Sequence, residues 1–240
     1  MNRDSNAYTF IFAIIMVVVV GATLAIAATS LKSRQDDNVR KEKMQNILST
    51  IGVDVDREGA EAMYKEYVKQ ELSLTADGNI DEAVNAFDID LKKELKKAPD
   101  GQRFPLYIAY VEGTRFYIVP LRGAGLWDAI WGYISLREDL NTVKGAVFDH
   151  KGETPGLGAE ITQDWFEKRF VDEKIFDENG NLQGITVLKG NDDPQNKEDH
   201  EVDAISGATI TGDGVTNMIK ERLAHYLPYF EKEKTQLVLK

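Results

Sequence analysis

The chain's longest apolar run lies near its start. Tyr8 to Ala28, "YTFIFAIIMVVVVGATLAIAA", carries no charge over 21 residues. At a rise of about 1.5 Å per residue it matches a hydrocarbon core of roughly 30 Å, so the pattern predicts a membrane span. A cleaved signal peptide is the competing reading, because "AIA" at 25–27 resembles a cleavage site and Arg3 gives a positive start. Signal h-regions are about 7–15 residues long, and this run is longer. Beyond it, residues 29–50 are polar, with Met44, Ile47 and Leu48 at helical spacing, which predicts a helix leaving the membrane. "DREGAEAMYKEYVKQEL" (56–72) predicts a second helix with Ala60, Met63, Tyr64 and Val68 on one face. "DIDLKKELKKAPDG" (88–101) reads as a solvated, charged face ending in a turn at Pro99 and Gly101.

Alternation then takes over. "RFPLYIAYV" (103–111) and "RFYIVPL" (115–121) flank "EGT" and predict a β-hairpin. "WGYISLRE" (131–138), "TVKGAVFDHK" (142–151) and "LQGITVLKG" (182–190) read as further strands. Between them, "GLGAEITQDWFEKRF" (156–170) predicts a helix presenting Ile161, Trp165, Phe166 and Phe170. "NDDPQNKEDHE" (191–201) is an acidic loop containing the Asp192–Asp193 pair. "DGVTNMIKERLAHYLPYF" (213–230) places Val215, Met218, Ile219 and Leu223 at i, i+3, i+4 and i+8, an amphipathic helix ending near Pro228. The expected fold class is α+β: one N-terminal transmembrane helix (residues 1–34), then a single domain (35–240) with a mainly antiparallel sheet flanked by helices.

Composition narrows the chemistry. The 240 residues are 42% hydrophobic, enough for a sizeable core. A net charge of −11 makes nucleic acid a poor partner. The chain has no cysteine, which excludes disulfides, thiolate metal ligation and a cysteine nucleophile. His150, His200 and His225 are scattered, without a partner at ligand spacing, and the acidic loop has no EF-hand pattern, so no metal site is expected. No G-x-S-x-G elbow supports a serine hydrolase, and no residue is assigned a catalytic role. Five basic residues follow the span (Lys32, Arg34, Arg40, Lys41, Lys43) against Arg3 before it, a bias that would keep the C-terminal part in the cytoplasm.

Two glycine-bearing stretches carry candidate chemistry. "HKGETPGLGAE" (150–160) sets Gly152, Gly156 and Gly158 around Pro155; such a loop can bring backbone N–H groups towards a ligand, but it is neither a Walker A loop nor a dinucleotide fingerprint, and alone it is more often a structural turn. "DAISGATITGDG" (203–214) gathers three hydroxyls, Ser206, Thr209 and Thr211, among small residues before the last helix. Thr211 or Asp213 could N-cap that helix, and a helix N-terminus favours an anion such as phosphate. Spacing alone does not separate a cap from a phosphate site.

The residues here resemble a known family. "DAISGAT" (203–209) matches D-x-x-(S/T)-G-A-T, the acceptor motif for covalent flavinylation, while "GETPGLGAEI" (152–161) and "GLWDAIWGYISL" (125–136) are similar to further signatures of the FMN-binding domain. With its N-terminal span and length, essentially the whole chain resembles the C subunits of the Na⁺-translocating NADH:quinone oxidoreductases. The G subunits of the Rnf ferredoxin:NAD oxidoreductase complexes share the anchor and the acceptor motif; the inserted Gly152 and the "GLWDAIWGYISL" stretch favour the quinone-reductase family. A membrane-anchored interaction module without cofactor, in which "SGAT" merely caps a helix, is a reading of another class.

The resemblance implies an FMN joined through its phosphate to the hydroxyl of Thr209 by a dedicated FMN transferase with FAD as donor; Thr211 is the fallback. Ser206, Gly207 and Ala208 would leave room for the transferase and the ribityl phosphate, and Asp203 would serve recognition. Glu153, Thr154, Gly156, Leu157 and Gly158 would form a loop against the flavin. Trp127 would pack near the ring, or equally belong to the core. The implied role is an electron carrier between a membrane iron–sulfur centre and the FMN of the B subunit, in a six-protein complex (A to F) that oxidises NADH, reduces quinone and exports Na⁺. The family places the FMN domain outside the cytoplasmic membrane, against the charge bias.

Overall fold

The computed structural model describes residues 5–191 and 193–238; Arg3 and Asp192 lie outside the described residues. The chain divides into two compact units, Met1–Lys43 and Met44–Lys240. Helix α1 (Asn6–Thr50) is continuous, joining the predicted span to the polar helix that follows. Every large apolar side chain from Phe10 to Ile26 is exposed, and this is the one described helix long and apolar enough to cross a membrane. A helix apolar on all sides with nothing packed on it suits a lipid surround.

The second unit opens with the last turns of α1, where Met44, Ile47 and Leu48 are buried. The helix stops at Gly52, whose φ of 82° allows a left-handed turn. There Val53 N–H bonds to Leu48 O at 3.1 Å and Gly52 N–H to Ser49 O at 3.0 Å, a Schellman ending. Ser135 Oγ donates to Thr50 O at 2.6 Å and satisfies another terminal carbonyl.

Five antiparallel strands follow in sheet order β1-β2-β3-β4-β5: Val68–Leu74, Phe104–Val111, Thr114–Ala124, Ala129–Leu136 and Val143–His150. The predicted hairpin is β2–β3, closed by Glu112 and Gly113, both at positive φ as a tight two-residue turn requires. The sheet is covered on both faces, which explains its nearly continuous apolar strands. Leu106, Ile108, Tyr117, Val119 and Leu121 face one core; Tyr107, Ala109, Phe116 and Ile118 face the other, which is closed by the end of α1 and by α2 (Ala60–Tyr67).

Four predicted elements change. The helix expected over 56–72 ends at Tyr67, and Val68 onward becomes β1, because pairing with β2 from Phe104 outweighs the helical spacing of Val68. The charged stretch 88–101 contains a short helix, α3 (Leu91–Glu94), with Leu91 and Glu94 buried. The 156–170 helix is broken: a 3₁₀ turn (Gly158–Thr162) and α4 (Asp164–Glu167) are separated by Gln163, whose backbone is extended. Ile161, Phe166 and Phe170 still reach the core, while Trp165 stays 45% exposed beneath Arg169, which lies 4.8 Å from its ring centre. The strand expected over 182–190 shortens to β6 (Thr186–Leu188), which pairs in parallel with the unpredicted β7 (Glu201–Asp203).

The last helix also differs. Helix α5 (Thr209–Ala224) starts four residues earlier than expected, with Ala208 at its cap and no side-chain cap bond, so neither Thr211 nor Asp213 caps it. Pro228 opens a further helix, α6 (Leu227–Val238), instead of ending the previous one. Helix α5 lies directly on β3. A Cβ at Gly123 would sit 2.7 Å from Met218 Cβ, and one at Gly214 would sit 2.4 Å from Ala124 O.

Burial pushes the Glu167 carboxyl up to about 7, against the Phe148 N–H that donates to it at 2.7 Å. The folded chain therefore binds this proton more tightly than the unfolded chain, and stability falls as pH rises from about 4.5 through 7. Glu167→Gln is expected to raise Tm by a few degrees at pH 8 and to leave it unchanged at pH 4. An equal gain at both pH values would contradict this assignment.

Candidate functional site

Three segments meet at one end of the sheet: the β3–β4 turn (125–128), the loop after β5 (151–157) and the stretch from β7 into α5 (204–211). Gly125 N–H closes the first on Asp128 O at 2.8 Å. Glu153 joins all three. Only 4% exposed, it accepts Trp127 N–H on Oε1 at 3.0 Å and the Thr211 hydroxyl on Oε2 at 2.7 Å. Its own N–H donates to His150 Nδ1 at 3.1 Å. Burial disfavours its charge, but the Thr211 hydroxyl and the N–H groups of Trp127 and Asp128 outweigh that and hold the carboxyl below its ordinary range. Two glycines make space for it: a Cβ at Gly125 would lie 2.5 Å from Oε1, and one at Gly158 would lie 2.6 Å from Oε2.

The acceptor stretch splits its hydroxyls. Gly207 turns the chain at φ 79° and stays exposed with Ser206, while Ala208 is buried and caps α5. Thr209, the first residue of α5, is exposed; Thr211 is 1% exposed. Two residues on a helix differ by about 200° around its axis, which places one hydroxyl outside and the other beneath. Thr209 lies on an open cleft of about 210 Å³ lined also by Leu126, Glu153, Thr154, Leu157, Gly158, Gly207, Ala208 and Ile210, with the buried Thr211 at its floor.

The cleft's rim is apolar. Leu126, Trp127, Leu157 and Ile210 are all exposed, Trp127 at 69%, so this tryptophan does not belong to the core. Its indole N–H donates to Thr154 Oγ1 at 3.1 Å. Gly156, at φ 75°, gives its N–H to Glu160 Oε1 at 2.9 Å, and Thr154 O accepts from both Leu157 and Ala159 N–H at 3.1 Å. Asp203 stands apart, away from the cleft lining: its carboxylate accepts from Asn191 N–H at 3.3 Å, and its carbonyl from Arg169 Nη1 at 2.5 Å. Sequence reasoning missed Leu126, Ile210, Gly125 and His150 as parts of the site. All four lie within the stretches quoted above, Gly125 and Leu126 in "GLWDAIWGYISL", His150 in "HKGETPGLGAE" and Ile210 in "DAISGATITGDG", but nothing in their spacing singled them out.

Among the described residues no group of three or more His, Asp or Glu is placed to hold a metal. His200 Nδ1 lies 2.7 Å from Lys174 O, and His225 stacks on Phe104 with 4.2 Å between ring centres. A tethered flavin fits the residues that are present. The first turn of α5 offers free N–H groups and a positive dipole end to a phosphate. The cleft is smaller than the roughly 300–1,000 Å³ of pockets that engulf their ligands. A three-ring group would therefore lie on the apolar rim and not inside the protein.

Residues 125–224 match the family described as FMN-binding domain. Over 235 aligned residues the chain is 32% identical to the C subunit of the Na(+)-translocating NADH-quinone reductase of Vibrio parahaemolyticus, covering 89% of each. It is 30% identical to the corresponding protein of Haemophilus ducreyi, covering 91% of this chain and 90% of the relative. The crystal structure of the Parabacteroides distasonis counterpart superposes with a TM-score of 0.75 at 39% identity, covering 83% of this chain and 96% of that one. Shewanella oneidensis NqrC gives 0.69 at 28% identity, covering 82% and 98%. The chain belongs to the family of C subunits of the Na⁺-translocating NADH-quinone reductases, one component of an oxidoreductase complex, and its residues 125–224 form an FMN-binding domain.

Proposed function

We propose that the chain is a membrane-anchored electron carrier whose FMN is held by a phosphoester to Thr209. The observation that carries this reading is the contrast between two threonines: Thr209 is exposed at the head of α5 on the cleft, while Thr211 is enclosed and already bonded to Glu153. In the maturation step, run by a flavin transferase, Thr209 Oγ forms a bond to the flavin-side phosphorus of FAD. The pyrophosphate P–O bond breaks, AMP leaves, and the hydroxyl proton is released. The flavin supplies the redox chemistry. The chain's own part is to hold the phosphate at a helix N-terminus and to offer Leu126, Trp127, Leu157 and Ile210 as an apolar platform. No side chain here need move a proton. Ser206 and Gly207 keep the approach to Thr209 open, and Asp203, outside the cleft lining, is assigned to recognition by the transferase.

In the complex, the electron would come from an iron–sulfur centre held by the membrane-embedded partners and pass to the FMN of the B subunit, with the A, D, E and F proteins as the other partners. Residues 1–34 would form the anchor, in contact with lipid, and 35–240 the FMN-bearing domain. The absence of charge between Tyr8 and Ala28 argues that Na⁺ does not cross on this chain. Intact mass of the chain produced with its transferase is expected to exceed the polypeptide by one FMN moiety, mapped by fragmentation to Thr209. A mass equal to the polypeptide alone would overturn the reading.

For the side of the membrane, the family resemblance is weighed above the bias of the basic residues behind the span. We place the domain outside the cytoplasmic membrane. Protease added to intact, outer-membrane-permeabilised cells is expected to digest it, and inverted vesicles are expected to protect it. The reverse pattern would reassign it to the cytoplasm.

A further inference from the structure

We propose that Glu153 is a positioning residue. It decides which hydroxyl of the acceptor stretch is available to the cofactor, and it fixes the Trp127 turn beside that hydroxyl. The inference rests on the Thr209 reading above. Thr209 and Thr211 have the same chemistry and lie two positions apart, so the fold must choose between them. Glu153 makes that choice from 58 positions away, by taking the Thr211 hydroxyl on Oε2. Its other oxygen takes Trp127 N–H, and the Trp127 indole is in turn tied to Thr154. One carboxylate thereby clamps the first turn of α5 to the β3–β4 turn.

A carboxylate beside a hydroxyl can also activate it as a nucleophile, but two observations argue against that role at Thr211. The oxygen is enclosed: Thr211 is 1% exposed, and a Cβ at Gly158 would lie 2.4 Å from its Oγ1. The bonds that hold Glu153 ionised also make it a weak base. Thr209, by contrast, makes no side-chain hydrogen bond among the described residues and is exposed. A group held by such a support is oriented more sharply than one on a free loop.

The test uses the full chain in detergent, produced with and without the flavin transferase. Without the transferase, amide exchange at Trp127 is expected to be about tenfold faster in Glu153→Ala than in the parent. Glu153→Gln, whose amide oxygen still accepts, should restore most of the protection. Unchanged exchange in Glu153→Ala would overturn the clamp. With the transferase, fragmentation of Thr209→Val should find no flavin on Thr211, whereas Thr209→Val combined with Glu153→Ala should find some there; flavin on Thr211 in the single variant, or none in the double, would overturn the selectivity. Glu153→Ala should still carry flavin on Thr209, with its visible circular dichroism lowered about twofold as the support is lost. Thr211→Val breaks the same bond from the other side; it should reproduce that change, and it carries the test should Glu153→Ala fail to fold. A parent-like spectrum in Thr211→Val would count against the proposal. A parent chain without any flavin would defeat the Thr209 reading instead, while the Trp127 exchange result would still judge the clamp.

Discussion

Thr209→Val, produced alongside the flavin transferase, is expected to yield a folded, full-length chain with no covalent flavin. Its band on a denaturing gel should lose all flavin fluorescence. The loss should be complete because the phosphoester needs a hydroxyl and the next one along, on Thr211, is buried and engaged by Glu153. Folding should be spared: Thr209 is exposed, and surface substitutions of this kind change stability by about 0.5 kcal/mol or less. Thr209→Ser keeps the hydroxyl and should remain fluorescent. Thr211→Val should show the opposite behaviour, retaining flavin while losing about 1–3 kcal/mol, because a buried carboxylate oxygen is left unsatisfied. A Thr209→Val band as bright as the parent's would refute the assignment.

Phe148→Ala carries the largest expected cost in stability. Phe148 on β5 is 2% exposed, with its ring centre 5.0 Å from that of Phe170 and 6.0 Å from that of Phe166; the latter two lie 5.3 Å apart. Truncating a buried phenylalanine costs about 3–5 kcal/mol, which lowers the Tm of a domain this size by on the order of 10 °C. The effect should reach the site, because these rings support the segment whose start, Gly158, packs on Glu153 and Thr211. Flavin incorporation in Phe148→Ala should therefore fall with growth temperature before that of the parent does. Thermal unfolding with a loss below about 1 kcal/mol would contradict the stability assignment, and parent-like flavin incorporation at every growth temperature would show that the site does not depend on this cluster.

Elements with local causes were legible in the sequence. The β2–β3 hairpin is written in its alternation and in the Glu112–Gly113 turn, and β4 and β5 follow from their own patterns. What failed was set by distant partners. Val68 continues the stripe of Ala60 and Tyr64, so β1 shows as a strand only once β2 is beside it. Ile161, Phe166 and Phe170 keep helical spacing although Gln163 breaks the helix; core burial by short turns leaves the same periodicity as one long helix. The site divides in the same way. The small-residue stretch and its hydroxyls could be read directly, and the motif named Thr209. The fate of Thr211 could not be read, because its partner Glu153 arrives from another loop. The exposure of Trp127 was equally hidden, since an aromatic in a short turn reads the same whether it is core or surface.

The glycine contacts of α5 have a bearing on how this chain tolerates length changes. Gly214 against Ala124 and Met218 against Gly123 fix the rotation of the helix on β3. Thr209 inherits its outward direction from those contacts downstream. One residue inserted between Thr209 and Gly212 would swing the acceptor about 100° around the axis, off the cleft, with the rest of the helix unmoved. The same insertion in the acidic loop 191–200 would leave its heading intact. Indels are therefore expected to be accommodated upstream of the acceptor and lethal to modification just after it.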